Sequence, residues 1–193
     1  MKRNDYLYLD HAATTPMRES ALEAFKNAEE FAYANSSGGH ELSRRAKNLL
    51  EESRDFIASY FGAAPSEITF TSGGTEADNW VIKAPFMNSK NSQNLVTSKI
   101  EHEAVLASAE WLETQGQKVN YARCNKDGQV DVNEFLDKCN NDTAIASLMY
   151  ANNETGVVQQ IDKIAREVKI KNPETLFHSD VVQAVSSEKL DFH

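Results

Sequence analysis

Cysteine is nearly absent from this 193-residue chain: Cys124 and Cys139 are the only two, and no Cys-x-x-Cys pair occurs. That excludes a disulfide framework and a zinc knuckle, and no other metal-ligand spacing replaces them. Basic charge is also in short supply, with 20 Lys and Arg against 29 Asp and Glu and a formal net charge of −9. The basic run never exceeds Arg44-Arg45. A chain of this balance is repelled at long range by nucleic acid and by anionic lipid, so neither is an expected partner. Long hydrophobic runs are missing as well. The longest mostly apolar stretch, Ala144 to Ala151, falls far short of the roughly 20 residues of a membrane helix. Lys2-Arg3 leads into Asn4-Asp5 and not into an apolar signal core. A cytoplasmic, reducing location is the expectation.

What is present is an alternation of short β-type runs with longer helical segments and no Gly/Ser/Pro-rich linker. Strands are expected at Tyr6–Leu9, Ile68–Thr71, Asn94–Ser98, Lys118–Ala122, Ala144–Met149 and Leu176–His178. Helices are expected at Arg18–Phe31, Leu42–Phe61, Thr75–Lys83, Glu103–Thr114, Val132–Lys138 and Ile161–Ile170, with Gly62 and Gly116 as stop signals. This order predicts an α/β fold, a parallel or mixed sheet with helices on both faces. Ligands of such sheets bind at the carboxyl ends of the strands, so the residues that follow each strand are where chemistry is expected.

Four such segments stand out. Thr71 runs into Ser72-Gly73-Gly74-Thr75-Glu76 and then a helix, an arrangement that aims backbone N–H groups and hydroxyls at an anion. It reads as a phosphate cradle, although Ser72 or Thr75 as an ordinary helix cap accounts for the local pattern too. Glu101-His102 opens the helix after the third expected strand; its imidazole suits stacking on a flat ligand or proton relay, and equally a plain cap. Asn152-Asn153-Glu154-Thr155-Gly156 offers uncharged amides, or simply a turn. His178-Ser179-Asp180, with Gln183 three residues on, ends a strand in an acid. That acid could hold a cationic ring nitrogen, or cap a helix as half of a capping box.

A calcium-like stretch, Asn125-Lys126-Asp127-Gly128-Gln129-Val130-Asp131 with Glu134, puts Arg123 where the first carboxylate ligand belongs. A cation there opposes calcium, and the segment reads as a turn with Asp131 capping the next helix.

Taken in order, these segments, with Tyr8-Leu9-Asp10-His11-Ala12-Ala13-Thr14-Thr15-Pro16 and the stretch from Asn35 to His40, resemble the cysteine desulfurases of the NifS/IscS type within the class V aminotransferase group. The resemblance implies the large domain of a fold type I pyridoxal-phosphate transferase, truncated. The 193 residues would supply an N-terminal segment and the first part of the cofactor domain, without the rest of that domain or the C-terminal small domain. By position, Gly74 and Thr75 would bind the cofactor phosphate and His102 would stack on the ring. Asp180 would pair with the ring nitrogen, and Asn153 and Gln183 would bond near the phenolic oxygen. His102 and Asp180 would be the catalytic pair among them.

The implied reaction takes sulfur from L-cysteine as an enzyme persulfide, releases alanine and hands the sulfur to an acceptor or scaffold protein for iron–sulfur clusters or thiolated cofactors. A homodimer is implied for the full-length protein. The Schiff-base lysine, in a Ser-x-His-Lys motif, and the persulfide cysteine are expected beyond His193, so the isolated chain is expected to be inactive. Cys124 and Cys139 are not their substitutes: one ends a strand and the other closes a short, exposed helix. Selenocysteine lyase, a non-catalytic remnant and one half of a split enzyme are the alternatives. Two departures from the family pattern occur. Asn35-Ser36-Ser37-Gly38-Gly39-His40 stands where the family usually has Asn-Pro-Ser-Ser before the histidine, and Ser43 stands where glycine is common.

Overall fold

The computed structural model describes residues 7–87, 93–188 and 190. Contacts divide the chain into two compact units, one over residues 1–70 with 189–193 and one over Thr71–Glu188.

The first unit contains α1 (Glu19–Phe31) and α2 (Glu41–Phe61). α2 starts where the His40 side chain accepts the Ser43 N–H and stops at Gly62, whose φ of 69° is the left-handed conformation a glycine adopts without strain. Ion pairs Glu41–Arg45 and Glu51–Arg54 lie along its exposed face. A 3₁₀ turn, Pro65–Glu67, follows. Arg54 then anchors the outgoing chain, its Nη1 donating to the Ile68 carbonyl at 2.6 Å and its guanidinium 4.9 Å over the Phe70 ring. Two expected strands are corrected here. Residues 68–71 are irregular, and so are 7–9, while Tyr6 falls outside the described residues. A β-rich tetrapeptide becomes a strand only beside another strand, and in this unit Ile68 spends its carbonyl on Arg54.

The second unit is the expected α/β sheet. It holds α3 (Gly74–Met87), β1 (Asn94–Ser98), α4 (Glu103–Thr114), β2 (Lys118–Ala122), α5 (Val132–Lys138), β3 (Thr143–Ser147), α6 (Ile161–Lys171) and β4 (Leu176–His178). The strands stand in the order β2-β1-β3-β4, every described pairing parallel. β1 and β3 are buried along their full length because both faces are covered. Leu95 and Ile145 pack with Ile82 and Phe86 of α3 and with Val105 and Leu112 of α4. Val96 and Ala146 pack on the other side with Phe135 of α5 and with Ile164 and Val168 of α6.

The chain steps from β1 to β2 through α4 on one face, then reverses and steps through α5 and α6 on the other. A single hand of crossover requires that change of face. The reversal makes the carboxyl ends of β1 and β3 the topological switch point, the place where an open α/β sheet leaves a crevice.

Two further expectations are adjusted. α3 continues to Met87, beyond the expected Lys83, with Pro85 inside it and Ile82 and Phe86 buried on its core face. Cys139 is not at an exposed position. It is 2% exposed, its Sγ donates to the Phe135 carbonyl at 3.4 Å, and burial pushes its thiol up to about 11. Such a thiol is inert at neutral pH.

Candidate functional site

A crevice of about 420 Å³ opens at the switch point, lined by Glu101 and His102 from the end of β1 and by Asn152, Asn153 and Thr155 from the segment after β3. His102 caps α4, its Nδ1 accepting the Ala104 N–H at 3.1 Å. Because that nitrogen accepts, the neutral ring carries its proton on Nε2. One side chain thus does two things: the cap fixes the imidazole, and the residue lines the crevice.

The two asparagines divide the work between them. Asn152 is 9% exposed. Its amide donates to the Ile100 carbonyl at 2.8 Å, and its Oδ1 accepts from the Glu154 N–H, the Thr155 N–H and the Thr155 hydroxyl. It is the post that ties the loop after β3 to the loop after β1. Asn153 carries none of these bonds and presents a half-buried amide to the crevice.

Gly74 is the first residue of α3, and a Cβ there would meet Val182 Cγ2 at 3.2 Å. The helix start thus abuts the turn that carries Asp180. Neither Ser72 nor Thr75 acts as the expected cap. Instead the Glu76 carboxylate reaches back to accept the Ser72 N–H at 2.7 Å, and this bonding to Ser72 holds its carboxyl below the ordinary value. Thr75 lies beside a second, shallower groove of about 530 Å³ with Trp80 and Lys83, not in the switch-point crevice.

Asp180 sits level with the end of β3, its carbonyl accepting the Tyr150 N–H at 2.9 Å. Its Oδ1 accepts the Val182 N–H at 2.9 Å, an Asx turn. The capping-box expectation is corrected by this geometry. Val182–Ser187 forms turns and no regular helix, so Gln183, half-buried in those turns, is not the third residue of a helix.

Further residues without an expected role belong to the same edge. Asp78 is buried on α3, and its Oδ1 lies 3.5 Å from His178 Nε2, whose Nδ1 shares a 2.9 Å hydrogen bond with the Ser147 hydroxyl. Glu101 is buried beneath the crevice. The signal for Asp78 was its spacing, four residues before Ile82 and eight before Phe86 on the core face of α3.

The calcium-like stretch is closed off by its own chain. Arg123 Nε donates to Glu134 Oε2 at 2.8 Å, occupying the last would-be ligand, while Asp131 caps α5. No cluster of metal-ligating side chains occurs among the described residues. In the first unit, the two departures from the family pattern meet. A Cβ on Gly38 would fall 2.3 Å from the Ser43 hydroxyl, and Ser43 is fully buried. The serine at 43 fills the space that a side chain at 38 would take.

The family model described as Aminotransferase class-V matches residues 7–193. The chain is 39% identical over 189 residues to a cysteine desulfurase IscS of Methanosarcina thermophila, covering 97% of this chain and 46% of that protein. It is 40% identical over 189 residues to a cysteine desulfurase IscS of Dictyoglomus turgidum, covering 96% and 46%. The solved structure titled SspA in complex with cysteine superposes with a TM-score of 0.90 at 33% identity, over 95% of this chain and 53% of that one. The chain thus spans about half the length of the relatives it matches.

Proposed function

The chain belongs to the class-V aminotransferase family, whose members use pyridoxal phosphate, and on that premise we propose that it forms the cofactor-holding half of a cysteine desulfurase. One observation carries the reading. Gly74, His102, Asn153 and Asp180 come from four separate elements and all lie at the carboxyl edge of one parallel sheet.

The residues present fit the group. The glycine at the start of α3 lets the Asp180 turn approach it, and backbone N–H groups at a helix start suit a phosphate. Ser179 Oγ, beside Asp180, is buried without a partner among the described residues. Gly74 and Thr75 would take the phosphate, His102 would lie on the ring, Asp180 would face the ring nitrogen, and Asn153 and Gln183 would bond on the phenolic side. When bound, the cofactor supplies an electron sink for chemistry at an amino acid's α-carbon. An anionic Asp180 stabilises a proton on the ring nitrogen, and the cap on His102 Nδ1 keeps its imidazole at a fixed tilt.

In the same reading L-cysteine is the substrate, an acceptor protein takes the sulfur for iron–sulfur cluster assembly, and the full-length protein is a cytoplasmic homodimer. The 193 residues make up the N-terminal segment and the first part of the cofactor domain. The nucleophilic lysine and cysteine that the reaction calls for lie outside them, so this chain alone binds the cofactor without turnover. Support comes from the relatives' names and from the share of their length that is covered.

The test is an absorbance titration with pyridoxal phosphate followed by borohydride and dialysis. Saturable binding, weakened about tenfold or more in D180N and lost as colour on dialysis, is the expected result. A reduced adduct that survives dialysis would show a reactive lysine within these residues and overturn the inactive-half assignment.

A further inference from the structure

Glu101 is a buried carboxyl at the crevice that no cofactor contact accounts for. It is 5% exposed, directly precedes His102 and sits between the carboxyl ends of β1 and β3. Its Oε1 accepts from the Ser98 hydroxyl at 3.1 Å and from the Met149 N–H at 2.9 Å, joining the last residue of β1 to the segment after β3. Its Oε2 is buried with no partner, and Glu101 makes no ion pair, among the described residues.

The charged groups that face it are carboxyls: Asp180 from the turn after β4 and Asp78 from α3. Of the histidines at this edge, His102 caps α4 through Nδ1, and His178 is taken up by Asp78 and Ser147. A buried carboxyl must pair with a cation, collect several donors or keep its proton. The first does not occur here, and two donors on one oxygen leave the other bare. Burial accordingly pushes the Glu101 carboxyl up to about 8, with the two aspartates adding to the effect and the Met149 and Ser98 hydrogen bonds opposing it. With Oε1 engaged as a double acceptor, the proton belongs on Oε2.

We infer that Glu101 is a positioning residue that works uncharged: it clasps the β1 and β3 ends beneath His102 and Asn153 and leaves Asp180 as the anion that meets the cofactor ring. The clasp stands on this chain's own geometry, whereas its link to the cofactor rests on the function proposed above. The test separates the two.

Thermal unfolding of the 193-residue chain is compared with E101Q and E101A from about pH 5 to about pH 9. A carboxyl whose folded value is near 8 against an ordinary 4.5 binds more protons folded than unfolded between those values, so the wild type loses stability as pH rises through that window. Gln copies the neutral acid in shape, acceptor and donor but does not titrate. The E101Q melting temperature should therefore match the wild type near pH 5, pull ahead progressively up to about pH 8 and then hold a constant lead. E101A, which loses both ties and likewise does not titrate, melts below E101Q at every pH.

Parallel wild-type and E101Q curves would overturn the inference. The second readout is the ratio of pyridoxal-phosphate dissociation constants, wild type over E101Q. The cofactor is a net anion, and held at the proposed site it would add negative charge and exclude water near Glu101, both of which oppose ionisation. The ratio should stay near unity at about pH 6 and rise about threefold or more by about pH 9. A constant ratio would break the link to the cofactor. If neither protein binds at any pH, the proposed function falls, and the melting curves still decide whether Glu101 is held uncharged.

Discussion

α1 buries no residue and α2 only Ser43 and Ala58, whereas the shorter α4 buries Ala104, Val105, Ser108, Ala109 and Leu112. In the first unit, Phe25 and Phe56 are 62% and 74% exposed; in the second, Phe135 is completely enclosed. All three helices carry the same three- and four-residue apolar spacing, so the pattern that makes a helix is common to both regions. What differs is the surface opposite. A parallel sheet offers two apolar faces on which helices of the second unit rest, and the helices of the first unit have no sheet within their own unit among the described residues. Apolar periodicity states that a helix has a face to bury; it does not state what will cover it.

This contrast can be broken by substitution. Phe135→Ala should cost about 3–5 kcal/mol by denaturant unfolding, since it opens a cavity under the sheet, while Phe56→Ala should stay within about 0.5 kcal/mol. Equal losses would mean that the first unit has a core after all. The first unit does have one close-packed point. G38S should destabilise by about 1–3 kcal/mol through the clash with the Ser43 hydroxyl, and adding S43G should return most of it. A double-mutant cycle with no coupling would refute that pairing.

At the site the same comparison separates neighbours. Asn152→Ala should lower unfolding stability by about 1–3 kcal/mol because it removes four hydrogen bonds within and between the two loops. Asn153→Ala should leave stability unchanged and weaken pyridoxal-phosphate binding in the absorbance titration. The smallest effect is expected at the exposed Arg123–Glu134 pair. Arg123→Ala should leave the unfolding midpoint unchanged, and calcium should not shift it in either protein.

Much of the second unit was readable in advance. β1, β2 and β4 were expected at their observed bounds, and α4 and α5 likewise, because a run such as Asn94–Ser98 is bounded by turns and a helix such as Glu103–Thr114 by a cap and a glycine-containing stop. The two strands that failed were short β-type runs without a neighbour. At the site, His102 was legible at the start of the helix after a strand and Asp180 at a strand end, each with two open uses. The structure shows His102 as a helix cap through Nδ1, with the residue lining the crevice, and Asp180 in an Asx turn through Oδ1. Glu101 and Asp78 were passed over. An acid next to a buried strand or on a buried helix face looks like any surface acid until its burial is known.

Local identity and order, then, are written along the chain. The apolar spacing of each helix, the left-handed glycine at 62 and the order of the motifs are set by the residues themselves and their neighbours in the chain. The tertiary structure alone decided which asparagine would be a post and which would line the crevice with a half-buried amide, that Cys139 would be sealed in the core, and that Glu101 would lie among carboxylates with one oxygen bare among the described residues. Those properties depend on what surrounds a group across residues distant in sequence, and dielectric and partnering exist only once the strands have come together.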